Sequence, residues 1–281
     1  MTSGSRAGRA WVGIEKMRWR SYRILDRWFP RFRAGAVSIL IPALESRADL
    51  LDTRSLASID RQTFQAYEVI VVSETYSQEI ADAVGKRDSR YRYLWGTSKP
   101  RSLRRAGSLA LWCSGAAPNL NLALKEGCGE YFARMDDDDE WLPRHLALSV
   151  TALERSGADF VSSNAYAPDN SLIEVNDLAN HDFRQEFNRH RFTATVGTTI
   201  TWVYKRHLRA YRFNASSWKK KINRPVDYDF MLRIAAGGAR LFFNPEITAQ
   251  QCLRPGVGNL TGHRAYEAEQ RVSSSEGKPA G

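Results

Sequence analysis

Four consecutive aspartates, Asp136 to Asp139, stand in the segment Arg-Met-Asp-Asp-Asp-Asp-Glu-Trp-Leu-Pro at residues 134–143. Adjacent carboxylates repel, so such a cluster costs stability unless a cation compensates it. Hard divalent cations take oxygen ligands, often one or two carboxylates together with phosphate oxygens. The run also suits a solvated acidic turn capping a helix that starts near Pro143, with Asp139 as the cap. Its place directly after a hydrophobic strand favours the metal. A second pair of acids, Asp227 and Asp229, opens a helical stretch. Two residues apart at a helix start, they cannot face the same way. One can point into a cleft as a general base while the other meets the positive helix end. The plainer alternative is that both are first-turn acids. Glu45 and Glu74 follow two hydrophobic strands. A carboxylate there can accept hydrogen bonds from a nucleobase or ribose, although a loop acid is the plainer reading of Glu74.

These acids need a frame. Ala36 to Ile41 and Glu68 to Val72 read as buried strands, and Tyr131 to Met135 as a strand running into the aspartates. Tyr91 to Leu94 is a further short strand. Residues 46–62, Gln78 to Lys86, Asn119 to Glu126 and Pro143 to Ser156 read as helices, and 97–107 as a basic loop. Phe160 to Asn164 and Thr195 to Tyr204 read as strands, with the polar, irregular stretch 165–192 between them. Val226 to Ala236 reads as a helix stopped by Gly237-Gly238, and Leu241 to Phe243 as a short strand. Strands alternating with helices predict an α/β fold with a mainly parallel sheet and ligands at the strand carboxyl ends.

The chain has 281 residues, 43% of them hydrophobic, enough for a sizeable core. No stretch approaches the ~20 apolar residues of a membrane span. The amino terminus lacks the apolar core of a secretory signal, which points to a cytoplasmic protein. Cys113, Cys128 and Cys252 form no metal-type pair and read as buried, reduced thiols. The net charge of +10 is uneven: residues 1–34 hold nine Lys or Arg and two acids, the other 247 residues 32 basic and 29 acidic. A nucleic-acid-binding face is therefore not indicated. Residues 11–29 read as a basic amphipathic helix. Trp11, Ile14, Met17, Tyr22, Ile24, Leu25, Trp28 and Phe29 share one arc, with Lys16, Arg20, Arg23 and Arg27 opposite. Arg18 and Trp19 break the pattern. Such a helix suits an anionic membrane surface, or it packs its apolar face on the domain. A transit peptide is a third reading. The first ten residues and the tail from Ser273 read as disordered.

Taken in order, these segments resemble the family 2 glycosyltransferases of the GT-A fold. Val37-Ser-Ile-Leu-Ile-Pro42 resembles the family's first strand, and Gln65-Ala-Tyr-Glu-Val-Ile-Val-Val72 its second. Asn119 to Tyr131 resembles the helix and strand before the metal motif. Met135 to Pro143 matches the Asp-x-Asp motif. Val226-Asp-Tyr-Asp-Phe-Met-Leu-Arg233 resembles the acidic helix start that supplies the base. The resemblance implies a Rossmann-like GT-A domain over 35–262, with a basic extension at 1–34 and a tail at 263–281. It implies an inverting enzyme that moves a sugar from a UDP-linked donor to a glycan or lipid-linked acceptor in cell-surface glycan synthesis. Asp136 and Asp138 would hold Mg2+ or Mn2+, Asp227 would be the base, and Pro42, Glu45, Glu74, Asn121 and Asp137 would border the nucleotide-sugar. Residues 165–192 and 205–224 would shape the acceptor side. The chain departs from the family in three places. Ser73-Glu74-Thr75-Tyr76 replaces an Asp followed by Gly-Ser, Val226 replaces a Glu, and a histidine of the closing segment, itself loosely matched at Leu253 to Asn259, is absent, with His263 as a candidate substitute. A non-catalytic sugar-nucleotide-binding module and a nucleotidyltransferase remain as alternatives. The latter lacks its glycine-rich loop, since Leu44 to Leu50 holds no glycine.

Overall fold

Strands β1 (Arg33–Pro42), β2 (Tyr67–Val72), β3 (Tyr91–Leu94) and β4 (Gly129–Arg134) run parallel. Ala36 to Ile41 and all of β2 are buried on both faces, as strands covered by helices on both sides must be. One face packs on α4 (Gln78–Gly85), the other on α7 (Ala117–Glu126). The chain steps from β1 to β2 to β3 and then returns to lay β4 on the other side of β1. That reversal is a topological switch point, where diverging connections open a crevice at the strand carboxyl ends. At the opposite end β4 closes tightly on β1. A side chain at Gly129 would meet the Ser38 nitrogen at 2.7 Å and the Ala36 carbonyl at 2.8 Å.

Four more strands complete the sheet: β5 (Glu140–Trp141), β6 (Phe160–Tyr166), β9 (Val203–Lys205) and β10 (Leu241–Gln250). The order is β3-β2-β1-β4-β9-β6-β10-β5, with β9 and β5 antiparallel to their neighbours. A separate pair joins β7 (Asn176–Asp177) to β8 (Thr195–Val196). The fold is α/β with a mainly parallel sheet, as the alternation predicts. This computed structural model describes residues 6–26, 32–173, 176–177, 195–219 and 225–252. The tail from Ser273, most of 165–192, Leu253 to Asn259 and His263 lie outside the described residues.

Several elements differ from expectation. The helical stretch 46–62 is broken into a 3-10 turn at Glu45–Arg47, α2 (Ala48–Leu50), a wide π turn at Leu51–Leu56 and α3 (Ala57–Asp60). Wide turns of this kind gather at functional sites. Here the turn lets Ser55 donate to the carbonyls of Asp136 and Asp139, at 3.0 and 3.1 Å. The basic loop 97–107 contains α5 (Arg101–Arg105), and α6 (Ser108–Ser114) follows it. The strand expected over Thr195 to Tyr204 is split by a 3-10 turn at Thr199–Thr201. Leu241 begins not a short strand but the ten-residue β10, whose register shifts after Asn244 accommodate Pro245. Cys113 is buried, but Cys128 and Cys252 are only half-buried.

Helix α1 (Arg6–Asp26) starts five residues earlier than the helix expected from residue 11, within the first ten residues read as disordered. It lies across α9 (Val226–Gly237) and the 3-10 turn at Arg206–Tyr211. Its buried face is Val12, Glu15 and Trp19. Trp19 sets its ring edge-on to His207, and Tyr22 does the same to Tyr211. The Tyr211 hydroxyl donates to the Glu15 carbonyl at 3.2 Å. Trp19, which breaks the expected arc, is therefore the anchor. Ile14, Met17 and Ile24 stay outside, at 44%, 64% and 59% exposure. Trp28 and Phe29 lie outside the described residues.

Candidate active site

A cavity of about 540 Å3 opens at the switch point. Its floor is the carboxyl end of β1, at Pro42 to Leu44, and of β4, at Arg134, Asp136 and Asp137. Asp227 and Tyr228, in the first turn of α9, close it from the far side.

The four aspartates do four different things. Asp136 faces the cavity and accepts from Arg134 Nη2 at 2.9 Å. Asp137 also lines the cavity, almost fully buried, and accepts from the Leu44 amide at 2.7 Å and from Arg47 Nη1 at 3.0 Å. It thereby ties the β4 end to the loop after β1. Asp138, the second residue expected at the metal, is 3% exposed, does not line the cavity, and pairs with the same Arg47 nitrogen at 3.0 Å. Asp139 accepts from the Cys252 amide at 2.9 Å. It does not cap α8 (His145–Ser156), whose N-cap is Arg144. Burial pushes the Asp137 carboxyl up to about 7 against the pull of Arg47, with Asp138 adding to the rise. Burial and the neighbouring Asp136 push Asp138 up despite Arg47, and burial with Asp136 and Asp138 holds Asp139 well above the usual range.

The two acids of α9 separate cleanly. Asp227 lines the cavity and accepts from Arg134 Nη1 at 3.2 Å and from the Tyr228 amide at 2.7 Å. Asp229 is 1% exposed and pairs with Arg233 at 2.8 Å. Arg233 in turn donates to the carbonyls of Tyr211 and Arg212, both at 2.5 Å. Asp229 is therefore occupied in holding α9 to the turn below it.

The nucleotide-side candidates divide. Pro42 and Glu74 line the cavity. Glu74 pairs with Lys99 at 3.0 Å and with Arg104. Burial works against its charge, but these two cations outweigh it and hold the carboxyl below the usual range. Glu45 is exposed and lines a separate acidic cavity with Asp49, Asp52 and Glu79, because the 3-10 turn after β1 carries it away from the crevice. Asn121 also faces elsewhere, exchanging two hydrogen bonds of 2.8 Å with the Phe213 backbone. The cavity residue of that helix is Asn119, which donates to the Val72 carbonyl at 3.1 Å. Arg47, Lys99, Asn119 and Arg134 were not read from the sequence as site residues. For Arg47 and Arg134 the available signal is chemical: four crowded acids call for compensating positive charge nearby.

Among the described residues, no three His, Cys, Asp or Glu side chains converge as a self-sufficient metal cage would. The donor set still fits a hard cation. Asp136 presents carboxylate oxygens to the cavity, and burial and mutual repulsion push the next three carboxyls up, so the cluster lacks positive charge. Mg2+ and Mn2+ bind in that way when diphosphate oxygens complete the shell.

Residues 112–217 match the model of glycosyl transferase family 2. The E. coli UDP-Glc:alpha-D-GlcNAc-diphosphoundecaprenol beta-1,3-glucosyltransferase WfaP is 27% identical over 138 residues, covering 49% of each chain. The chain thus spans about half the length of the curated relatives it first matches. The mannosyltransferase PcManGT of Pyrobaculum calidifontis, solved with GDP-Man and Mn2+, superposes with a TM-score of 0.57 at 18% identity. It covers 98% of this chain and 76% of that one. S. aureus TarS 1–349 with UDP-GlcNAc gives 0.56 at 14% identity, over 80% of this chain and 60% of that one. The fold is the GT-A glycosyltransferase fold.

Proposed function

We propose that this chain is an inverting, metal-dependent glycosyltransferase that takes a sugar from a UDP-linked donor and passes it to a lipid-linked acceptor. One observation carries the reading. Asp136 at the β4 end and Asp227 in the first turn of α9 face the same switch-point cavity. The catalytic unit is residues 35–262, preceded by the extension 1–34. Pro42, Asn119 and Glu74 border the nucleoside, and Asp137 holds the β1 loop against it. Asp136 and Asp138 would hold the cation, which when bound would supply positive charge to the departing diphosphate. Asp227 takes the proton of the acceptor hydroxyl as that oxygen bonds to the anomeric carbon and the bond to the diphosphate breaks. One displacement inverts the carbon. A single base serves this chemistry, and Asp229, tied to Arg233, is left out of it.

The UDP and lipid-linked choices follow WfaP, whose name states both. The test is a panel of UDP-glucose, UDP-GlcNAc and GDP-mannose, assayed for thermal protection and for transfer to a diphosphoundecaprenol-linked sugar, with Mn2+ or with chelator. A UDP-sugar should protect by about 2.7 kcal/mol at a hundredfold excess over Kd, only with metal, and should be turned over. Protection without turnover would instead make the chain a binding module. Pyrophosphate release from a nucleoside triphosphate and a sugar phosphate would make it a nucleotidyltransferase.

A lipid-linked acceptor gives α1 a purpose. No helix among the described residues is long and apolar enough to cross a membrane. The outward face of α1 carries Ile14, Met17 and Ile24, flanked by exposed Lys16, Arg18, Arg20 and Arg23. Each basic residue near an anionic surface contributes about 1 kcal/mol. The protein therefore works as a peripheral protein on the cytoplasmic face of the membrane. Deleting residues 1–34 would also strip Val12 and Trp19 from α9, so a surface variant is the cleaner probe. The chain should co-sediment with phosphatidylglycerol vesicles, less so at high salt. Combined Ile14→Ser, Met17→Ser and Ile24→Ser should lose most of that binding without a lower Tm. Equal sedimentation of both proteins, or of neither, would leave α1 as a packing element.

A further inference from the structure

Arg134 is an unusual end to a hydrophobic strand. It shares a face of β4 with Phe132, which packs among Phe230 and Leu232 of α9. A Leu would suit that surface. Instead a guanidinium is buried at 7% exposure. Taking such a charge out of water costs several kcal/mol and is tolerated only where partners compensate. The compensation comes from two acids on different elements. Nη2 donates to Asp136 Oδ1 at 2.9 Å and Nη1 to Asp227 Oδ2 at 3.2 Å. Nε has no partner among the described residues. Burial alone would lower the Arg134 pKa, but the two carboxylates outweigh it and keep the group charged. Asp227 is thus held at one oxygen by Arg134 and at the other by the Tyr228 amide.

We propose that Arg134 is a positioning residue for the reaction, one fork of guanidinium that locks the Asp227 carboxylate in register with the donor side at Asp136. The inference rests on the reading of Asp227 as the base. The planar fork reaches both acids at once from a rigid strand, which an ammonium on a flexible stem does not reproduce. Without it, Asp227 keeps only the Tyr228 amide as a hold, and its carboxylate can turn from the acceptor. A misplaced catalytic group of this kind costs about 10²-fold.

The test is a double-mutant cycle. Arg134→Lys and Arg134→Gln are each made alone and with Asp227→Asn. Readouts are kcat, KM, donor affinity by calorimetry with Mn2+, and Tm. Arg134→Lys keeps the charge and most of the bulk, so it guards against a simple folding defect. Each single variant should lose at least about tenfold in kcat, with donor affinity within about threefold of wild type. Combined with Asp227→Asn, neither should slow the enzyme further, because the group that Arg134 positions is already gone. Guanidinium ion added to Arg134→Gln should restore part of kcat. Losses that multiply in the double variants, or wild-type kcat in both single variants, would overturn the proposal. Wild-type turnover in Asp227→Asn alone would instead overturn the assignment of the base.

Discussion

Asp138→Asn is expected to abolish transfer and with it the metal-dependent binding of the UDP-sugar. The amide keeps the shape of the side chain and removes one charged oxygen donor, and a hard cation shared with a diphosphate has few protein ligands to lose. Loss of a group that stabilises charge in the transition state costs about 10²–10³-fold, and here affinity falls as well. The fold should survive. Asp138 is 3% exposed, and its carboxyl is pushed up by burial and by Asp136, so its charge is costly to the folded state. Arg47 keeps its second partner, Asp137, at 3.0 Å. Calorimetry with Mn2+ and with chelator, beside a transfer assay, measures both effects. Transfer at an undiminished rate in this variant, or in the wild type under excess chelator, would remove the metal from the mechanism.

Asp227→Asn should behave differently. It deletes the proton acceptor and leaves the nucleotide side intact, so kcat should fall by about 10²–10⁴-fold while donor affinity holds. The neighbouring acid is the control. Asp229→Asn leaves the buried Arg233 without its carboxylate partner, and breaking a buried pair costs about 3–5 kcal/mol. Its expected signature is a lower Tm with near-normal turnover per folded molecule. A crippled but stable Asp229→Asn beside a mild Asp227→Asn would reverse the two roles. Single-turnover kinetics with saturating donor, together with thermal melts, separate these outcomes.

The separation of Asp227 from Asp229 shows how far local pattern reaches. Two residues apart on a helix, the acids must diverge, and that much follows from helical geometry. Which one meets the cavity depends on where α9 lies against β4 and the Arg206–Tyr211 turn. Asn121 faces away from the cavity for the same reason. It lies two positions from Asn119 on α7, and only the seat of that helix against β2 decides which amide faces the cavity. Glu45 lies outside that cavity because the helix expected over 46–62 is preceded and broken by 3-10 and π turns that redirect it. On α1, hydrophobicity summed around the helix favoured an arc that omits Trp19. Tertiary contact with His207 and the close approach to Gly237 chose the face that contains it.

What the amino-acid sequence determined alone is whatever a single element can encode. Both-face-buried runs became β1, β2 and β4, the alternation of strand and helix became a parallel sheet, and the aspartate cluster fell at a strand's carboxyl end. The tertiary structure decided which charges meet. Arg47 reaches Asp137 and Asp138 across some ninety positions, and Arg134 reaches Asp227 across ninety-three. Those pairings exist because the chain reverses after β3 and sets β4 between β1 and β9. Sheet order is a property of the whole buried core, set by the joint packing of every strand and helix. No window of the sequence contains it.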